Sequence, residues 1–176
     1  MEIIMIRHTT VDVAPGTCYG QSDVPLAATF RQEAAATLSA LTPYGSFDAV
    51  YSSPLSRARR LAAYCGYPEP FTDDRLMEMN MGQWEMRRYD EIDDPALKDW
   101  YEDFLHIPTR GGESFPQLCA RVAAFLDELR EQPYRRVAVF AHGGVLVAAG
   151  IYAGLFTEED SFSHQVPYGG IQRIVI

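Results

Sequence analysis

The sequence contains little lysine and more acidic than basic residues, which narrows its range of partners. Of its 15 basic residues only Lys98 is a lysine, and 24 acidic residues give a formal net charge of −9. This balance argues against nucleic acid or an anionic membrane surface as the main partner, so an anion-binding site would have to be local. Arginine suits planar, bidentate binding of phosphate or carboxylate, although a GC-rich genome would give the same bias.

Cysteines are few, and long apolar runs are missing. Cys18, Cys65 and Cys119 are odd in number and share no CxxC spacing, which indicates neither a disulfide framework nor a zinc site. The N-terminus lacks the features of a signal peptide, and no stretch of about 18 apolar residues could cross a bilayer. We therefore expect a cytoplasmic protein that uses no metal and no other cofactor. The sequence does not indicate an oligomeric state.

Strand-like and helical runs alternate along the chain, and its 176 residues predict one domain over 1–176. The alternation favours an α/β fold: a three-layer α/β/α sandwich with a mostly parallel central sheet. The predicted strands cover 2–6, 47–53, 136–142 and 171–176, and the predicted helices cover 27–43, 54–66, 114–132 and 144–154.

Residues 80–113 depart from this alternation. The segment is rich in aromatic residues, and from Glu85 to His106 its eight acidic and three basic residues contribute −5 of the net charge. We expect a small helical insertion over one end of the sheet. Two interpretations stay open: a solvated face over a small satellite core, which is the simpler, or a lid over an active site.

Polar residues stand where predicted strands end. The first strand stops at Arg7 and His8, and a later strand ends at His142. Either histidine alone would more often be a structural residue. However, ligands of open parallel sheets bind at the carboxyl ends of the strands, where these side chains would meet. Gly143 and Gly144 come next and would expose backbone N–H groups at the start of a helix.

Another strand end leads into a helix that carries Arg57. Ser53 is the predicted N-cap and Pro54 the first helical residue, which places Arg57 about one turn into the helix. A cation near the positive end of a helix dipole is unfavourable, so a compensating anion is expected there. Arg59 points to another side of the helix and is expected to be solvated.

These residues suit the chemistry of a phosphoryl group. A neutral imidazole is a usable nucleophile, and phosphorus accepts in-line attack with departure of an oxygen leaving group. Guanidinium groups beside His8 would lower its pKa and keep it neutral. A carboxylic acid must protonate the departing oxygen, and periodicity does not choose among Asp73, Asp74, Glu78 and Glu85.

Five short motifs follow one another in a characteristic order. They are "RHT" (7–9), "SSPLSRA" (52–58), "RLMEMNMGQWE" (75–85), "GGES" (111–114) and "AHGG" (141–144). Each motif alone is weak, but the ordered set covers nearly the whole chain and is highly specific. With this set the sequence resembles the histidine phosphatases, or phosphoglycerate-mutase-like proteins.

The resemblance implies a role for each matching residue. His8 would be the phosphorylated nucleophile, and the family pattern selects Glu78 over Glu85 as the proton donor. The residues implied to bind the substrate are Arg7, Tyr19, Gly20, Arg57, His142 and Gly143, among which Arg7, Arg57 and His142 would hold the phosphoryl oxygens.

Two positions depart from the family pattern. Thr9 stands where glycine is commonest, and a β-branched side chain crowds the loop. If a backbone carbonyl at this position orients the histidine ring, threonine still provides it. Ala14 replaces an asparagine of many members, so one phosphate contact is missing or replaced.

The substrate that the resemblance implies is a small phosphorylated metabolite. Residues 16–30 look most like the α-ribazole phosphatase branch, which removes the 5′-phosphate of α-ribazole phosphate in cobalamin biosynthesis. Two alternatives stay open at this point: a histidine phosphatase for another metabolite, such as a phosphosugar or phosphoserine, or a non-catalytic relative that only binds phospholigands.

Overall fold

A five-stranded sheet forms the centre of the computed structural model, which describes residues 1–176 apart from the side chain of Phe162. The strands are β1 (Glu2–Arg7), β2 (Thr17–Cys18), β3 (Ala49–Ser52), β4 (Phe71–Thr72), β5 (Arg87–Arg88), β6 (Arg136–Ala141) and β7 (Ile171–Val175). The helices are α1 (Phe30–Leu41), α2 (Ser56–Tyr64), α3 (Pro95–Glu102), α4 (Phe115–Arg130) and α5 (Gly143–Tyr152).

The strand order in the central sheet is β4-β3-β6-β1-β7. The first four strands in this order run parallel, and β7 runs antiparallel to β1 at the edge. The mostly parallel sheet predicted from the sequence is therefore confirmed. Strands β2 and β5 pair separately, outside this sheet.

Helices cover both faces of the sheet because its strands are apolar on both sides. In β1, Ile3 and Met5 pack with residues of α4 and α5, whereas Ile4 and Ile6 pack with residues of α1 and α2. All four side chains are fully buried, as expected for a central parallel strand. The predicted three-layer α/β/α sandwich is confirmed.

The start of α2 differs from its prediction. The helix begins at Ser56, and Leu55 before it is still extended, so Ser53 is not the N-cap. The Ser56 N–H donates instead to Asp23 Oδ1 at 3.0 Å, and the Ser53 hydroxyl lies 2.7 Å from the His142 ring. The free N–H at the start of the helix is thus bound by a carboxylate that is distant in sequence. The capping rule considers only neighbouring residues and does not predict this contact.

The segment 80–113 forms its own small cluster beside the sheet. It contains β5 and the short helix α3, which begins at an Asp94 cap followed by Pro95. A satellite core is present, and its buried members are Cys18, Met81, Trp84, Ile92 and Leu97. Within the described residues, none of the helices is long and apolar enough to cross a membrane.

Candidate active site

The carboxyl ends of β1, β3 and β6 bring three predicted site residues together. The His8 and His142 rings lie 5.1 Å apart between centroids, and the Arg57 Nε donates to His142 Nδ1 at 3.3 Å. His8 N donates to Ala141 O at 3.0 Å, which continues the hydrogen-bond ladder between β1 and β6 into the site. Because His142 follows Ala141, this bond fixes the two histidines relative to each other. All three side chains are almost completely buried.

His8 presents a free ring nitrogen. Its Nδ1 lies 2.7 Å from the Thr9 carbonyl oxygen, which can only accept, so Nδ1 carries the proton and Nε2 keeps its lone pair. The expected role of the Thr9 carbonyl in orienting the ring is confirmed. Burial, and next the charge of Arg57, lower the pKa of His8 to about 3. The predicted direction is correct, but burial rather than the guanidiniums is the main cause.

His142 has both ring nitrogens engaged by protein groups. Since Nδ1 accepts from Arg57, the neutral ring carries its proton on Nε2 and donates it to Ser53 Oγ. Burial and the charge of Arg57 hold the pKa of His142 well below its usual value. A contact from His142 to a phosphoryl oxygen needs one of these bonds to open, and it stays a prediction.

Arg57 binds the loop that contains two further predicted residues. Its Nη1 donates to Ser22 O at 2.8 Å and its Nη2 to Gly20 O at 2.6 Å, while the Tyr19 ring centre lies 5.2 Å from its Cζ. Gly20 has φ 39°, and a Cβ there would overlap the carbonyl of Met79, so close packing favours glycine. Arg57 thus joins this loop to the histidines.

Arg7 retains an unused donor at the site. Its Nη1 donates to Val166 O at 2.6 Å, but its buried Nε has no partner among the described residues. Its Cζ lies close to the backbone at Gly143, where a Cβ would be 3.2 Å away. Because an unpaired buried N–H is costly, this donor is suited to an oxyanion at the start of α5.

The structure separates the four candidate acids. Asp73 forms an ion pair with Arg75, Asp74 is exposed to solvent, and Glu85 accepts N–H groups from the chain around it. Glu78 alone among them lines the pocket beside Arg7. It accepts the Gly144 N–H at 3.2 Å, at the beginning of α5.

The pocket has a volume of about 420 Å³. Arg7 and Glu78 are the charged residues of its lining, and the rest of the lining is mainly apolar. The apolar lining includes Met79, Met81, Tyr89, Trp100, Phe115 and Leu118, the first four of them from the acid-bearing segment and the insertion. Tyr19, Gly20 and Gly143 also line it, whereas His8, Arg57 and His142 are not among its lining residues. Among the lining residues Arg7 is the one cation.

Tyr168 is a site residue that the sequence interpretation missed. Its hydroxyl lies 2.9 Å from that of Tyr19, its ring centre is 5.5 Å from that of His8, and Arg7 Cζ lies 4.2 Å from its ring centre. Burial and the bond to Tyr168 raise the pKa of Tyr19, so its hydroxyl stays protonated. The signal available in the sequence was "PYGG" (167–170), a turn leading into a strand beside β1.

Comparisons with known proteins identify the family of the chain. The family model of the histidine phosphatase superfamily (branch 1) matches residues 3–176. The adenosylcobalamin/alpha-ribazole phosphatase of Escherichia coli K12 is 31% identical over 154 residues, covering 83% of this chain and 75% of that protein. Phosphoserine phosphatase 1 of Hydrogenobacter thermophilus is 27% identical over 146 residues, covering 79% and 69%.

Solved structures show the same fold. The crystal structure of the alpha-ribazole phosphatase from Shigella flexneri superposes with a TM-score of 0.89 at 28% identity, covering 100% of this chain and 91% of that one. The predicted resemblance and the prediction that the protein is a phosphatase are both confirmed. The chain belongs to the histidine phosphatase superfamily.

Proposed function

We propose that the protein hydrolyses phosphomonoesters through a phosphohistidine on His8, and that its substrate is α-ribazole 5′-phosphate. The observation that carries the chemical part is the state of His8: a neutral ring whose Nδ1–H is bound by Thr9 O and whose Nε2 is free. A nucleophilic imidazole must be deprotonated at one nitrogen and fixed at the other.

The first step transfers the phosphoryl group to the enzyme. The His8 Nε2 lone pair attacks phosphorus, the P–O ester bond breaks, and the departing oxygen takes the carboxyl proton of Glu78. Arg7 Nε and the Gly143 N–H bind phosphoryl oxygens, and the charge of Arg57 stabilises them further.

The second step returns the enzyme to its starting state. A water molecule attacks phosphorus and gives its proton to the Glu78 carboxylate. The P–N bond breaks, its electron pair returns to His8 Nε2, and inorganic phosphate leaves. No resident cofactor enters either step.

The substrate assignment is supported by the pocket and by the relatives. Arg7, His8, Arg57 and His142 together form the anion cradle of the site. A benzimidazole base is apolar and planar, and the pocket beside this cradle offers Trp100, Tyr89 and Met79 as packing partners. Proteins named as α-ribazole phosphatases are among the similar sequences and structures. The three free cysteines fit the reducing cytoplasm, where we place the protein.

A second candidate is a phosphatase for phosphoserine, because one similar protein bears that name. The pocket favours it less. Phosphoserine carries a carboxylate beside its ester, and Arg7, already placed at the phosphoryl end, is the one cation of the lining. A non-catalytic role is less well supported, because His8 keeps a free ring nitrogen, Glu78 lines the pocket and Arg7 Nε is an unused donor.

Hydrolysis rates over a panel of esters test the substrate assignment. The panel contains α-ribazole 5′-phosphate, phosphoserine, a phosphosugar and 4-nitrophenyl phosphate. We expect kcat/KM to be highest for α-ribazole 5′-phosphate, by about tenfold or more over phosphoserine. Equal rates on α-ribazole phosphate and the simple esters would contradict the substrate, and phosphate binding without any turnover would contradict the chemistry.

A further inference from the structure

The chain around Glu78 is extended but lies outside the ladders of the sheet. After the 3-10 turn Asp74–Leu76, Met77 adopts φ −62° and ψ 153°. The carbonyls of Arg75, Met77 and Glu78 therefore need donors other than a neighbouring strand, since buried backbone acceptors are rarely left unpaired.

One guanidinium donates to all three carbonyls, and Gln21 Nε2 also donates to Glu78 O at 3.0 Å. From α4, Arg121 Nη1 donates to Arg75 O at 2.7 Å and to Met77 O at 2.6 Å, and Nη2 donates to Glu78 O at 2.9 Å. Its remaining donors bind the Glu113 carboxylate, with Nη2 to Oε1 at 2.6 Å and Nε to Oε2 at 3.1 Å. All five N–H groups of Arg121 are thus used.

Glu113 extends this arrangement to the far side of Glu78. Its Oε1 also accepts the Asn80 N–H at 2.8 Å, and its own N–H donates to Asn80 O at 3.0 Å. The Arg121 and Glu113 side chains are only 19% and 15% exposed, so solvent weakens their ion pair little. The backbone is held on both sides of the Glu78 side chain, which itself reaches Gly144.

We propose that Arg121, paired with Glu113, is the positioning residue for the proton donor Glu78. Arg121 does not itself line the pocket and forms no hydrogen bond with His8, Arg57 or His142. It acts by fixing the backbone from which the Glu78 carboxyl reaches the start of α5. The helix α4, which carries Arg121, packs against α5, at whose start the Glu78 carboxyl is bound. The ion pair of Arg121 and Glu113 therefore keeps Glu78 in a fixed position relative to the cradle. The inference rests on the proposed role of Glu78.

Arginine is required at this position by geometry rather than by charge alone. A lysine has three donors on a single nitrogen and cannot bind a carboxylate in a fork while reaching three carbonyls. Arg121→Lys would therefore keep the charge and loosen the backbone. A displacement of about 1 Å at a catalytic group costs on the order of 100-fold in rate.

The test compares an alkyl phosphate with 4-nitrophenyl phosphate, measuring kcat/KM for each. Nitrophenolate leaves without protonation, so a defect in the proton donor affects the alkyl ester selectively. We expect Arg121→Lys to lose about tenfold or more on the alkyl ester and less than about threefold on the nitrophenyl ester. Glu78→Gln should show the same selectivity with a larger loss.

The matched control is Arg136→Lys. Arg136 also binds a carboxylate, Glu2, and a backbone carbonyl, Tyr44 O, but at the opposite end of the sheet. It should show no selectivity between the esters. Equal losses of Arg121→Lys on both esters, or the same selectivity in Arg136→Lys, would overturn the positioning role while leaving Glu78 in place.

Glu113→Gln covers the case in which Arg121→Lys does not fold, as judged by circular dichroism. This variant keeps an acceptor for the Asn80 N–H and removes the negative charge that pairs with Arg121. We therefore expect a smaller loss of kcat/KM with the same ester selectivity. An unselective Glu113→Gln would then overturn the inference. If Glu78→Gln itself shows no selective loss, the proposed proton donor is wrong and the positioning role falls with it.

Discussion

The buried cradle and the open pocket of this protein are built on different principles. In the cradle, His8, Arg57 and His142 are almost inaccessible, and most of their polar atoms are engaged by backbone or by one another. In the pocket next to it, Tyr89 and Trp100 come from an insertion with its own small core.

This difference indicates that the cradle carries out the chemistry and that the pocket determines which substrate is accepted. Parallel strand ends fix the reacting groups to the rigid centre of the fold, so their geometry does not depend on the leaving group. The insertion shapes the space that the leaving group occupies. Substitutions in the cradle should therefore stop turnover of every ester, whereas those in the insertion should change the preference among esters.

Replacement of the nucleophile should have the largest effect. His8→Asn removes the attacking nitrogen, and we expect kcat to fall by about 10⁴-fold or more on every ester. His106→Asn is the control, because this side chain is 72% exposed and lies outside the pocket lining. Residual activity of His8→Asn within tenfold of the unmodified protein would rule out the phosphohistidine route.

Displacement of the proton donor should have the next largest effect. A Cβ on Gly144 would lie 2.5 Å from Glu78 Oε1 and 3.0 Å from Leu118 Cδ2, so Gly144→Ala must move the carboxylate. We expect kcat/KM for an alkyl phosphate to fall by about 10- to 100-fold. The nitrophenyl ester is the internal control and should change little; a comparable loss on both would show that the cradle itself was disturbed.

A substitution in the insertion should act on substrate choice. Trp100→Ala removes a large apolar surface from the pocket, and we expect KM for an ester with an aromatic leaving group to rise by about tenfold. A small alkyl phosphate should keep its kcat/KM. The neighbouring Tyr101, 55% exposed and outside the pocket lining, provides the control Tyr101→Ala. Equal effects of the two variants would contradict a packing role for Trp100.

Acid should destabilise the cradle. The pKa of His8 is about 3 in the folded protein against 6.5 as its ordinary value, so below pH 6.5 the unfolded chain binds a proton that the folded one does not. Stability therefore falls with decreasing pH over this range, by about 1.4 kcal/mol per pH unit for this group near pH 5. Urea unfolding at pH 4.5 to 6 should show a shallower pH slope in His8→Asn; an unchanged slope would contradict neutral burial of His8.

The sequence could predict the cradle because its residues follow strands with clear apolar patterns. Arg7, His8 and His142 each terminate or follow a buried run, and the parallel arrangement of those runs brings them to one edge. The family pattern selected Glu78, which the structure places in the pocket. The positions of Arg7, His8 and His142 follow from strand periodicity and the rule for parallel sheets, whereas the choice of Glu78 needed the family pattern.

The parts that were missed depend on contacts between distant segments. Asp23 binds the first turn of α2, Tyr168 reaches Tyr19 from the last loop, and Arg121 gathers carbonyls more than 40 residues away. No local rule states which distant side chain will meet an unpaired backbone group. The origin of the low pKa of His8 was likewise misjudged, because the degree of burial is set by the completed fold.

A pre-steady-state experiment on Glu78→Gln with an excess of 4-nitrophenyl phosphate tests the central claim most directly. Nitrophenolate needs no proton to leave, whereas hydrolysis of the phosphoenzyme lacks its base, so phosphate should accumulate on the protein. The prediction is a burst of about one nitrophenolate per protein molecule, with mass spectrometry under alkaline conditions locating the phosphate on His8. Linear release with unmodified protein, or phosphate on another residue, would contradict it.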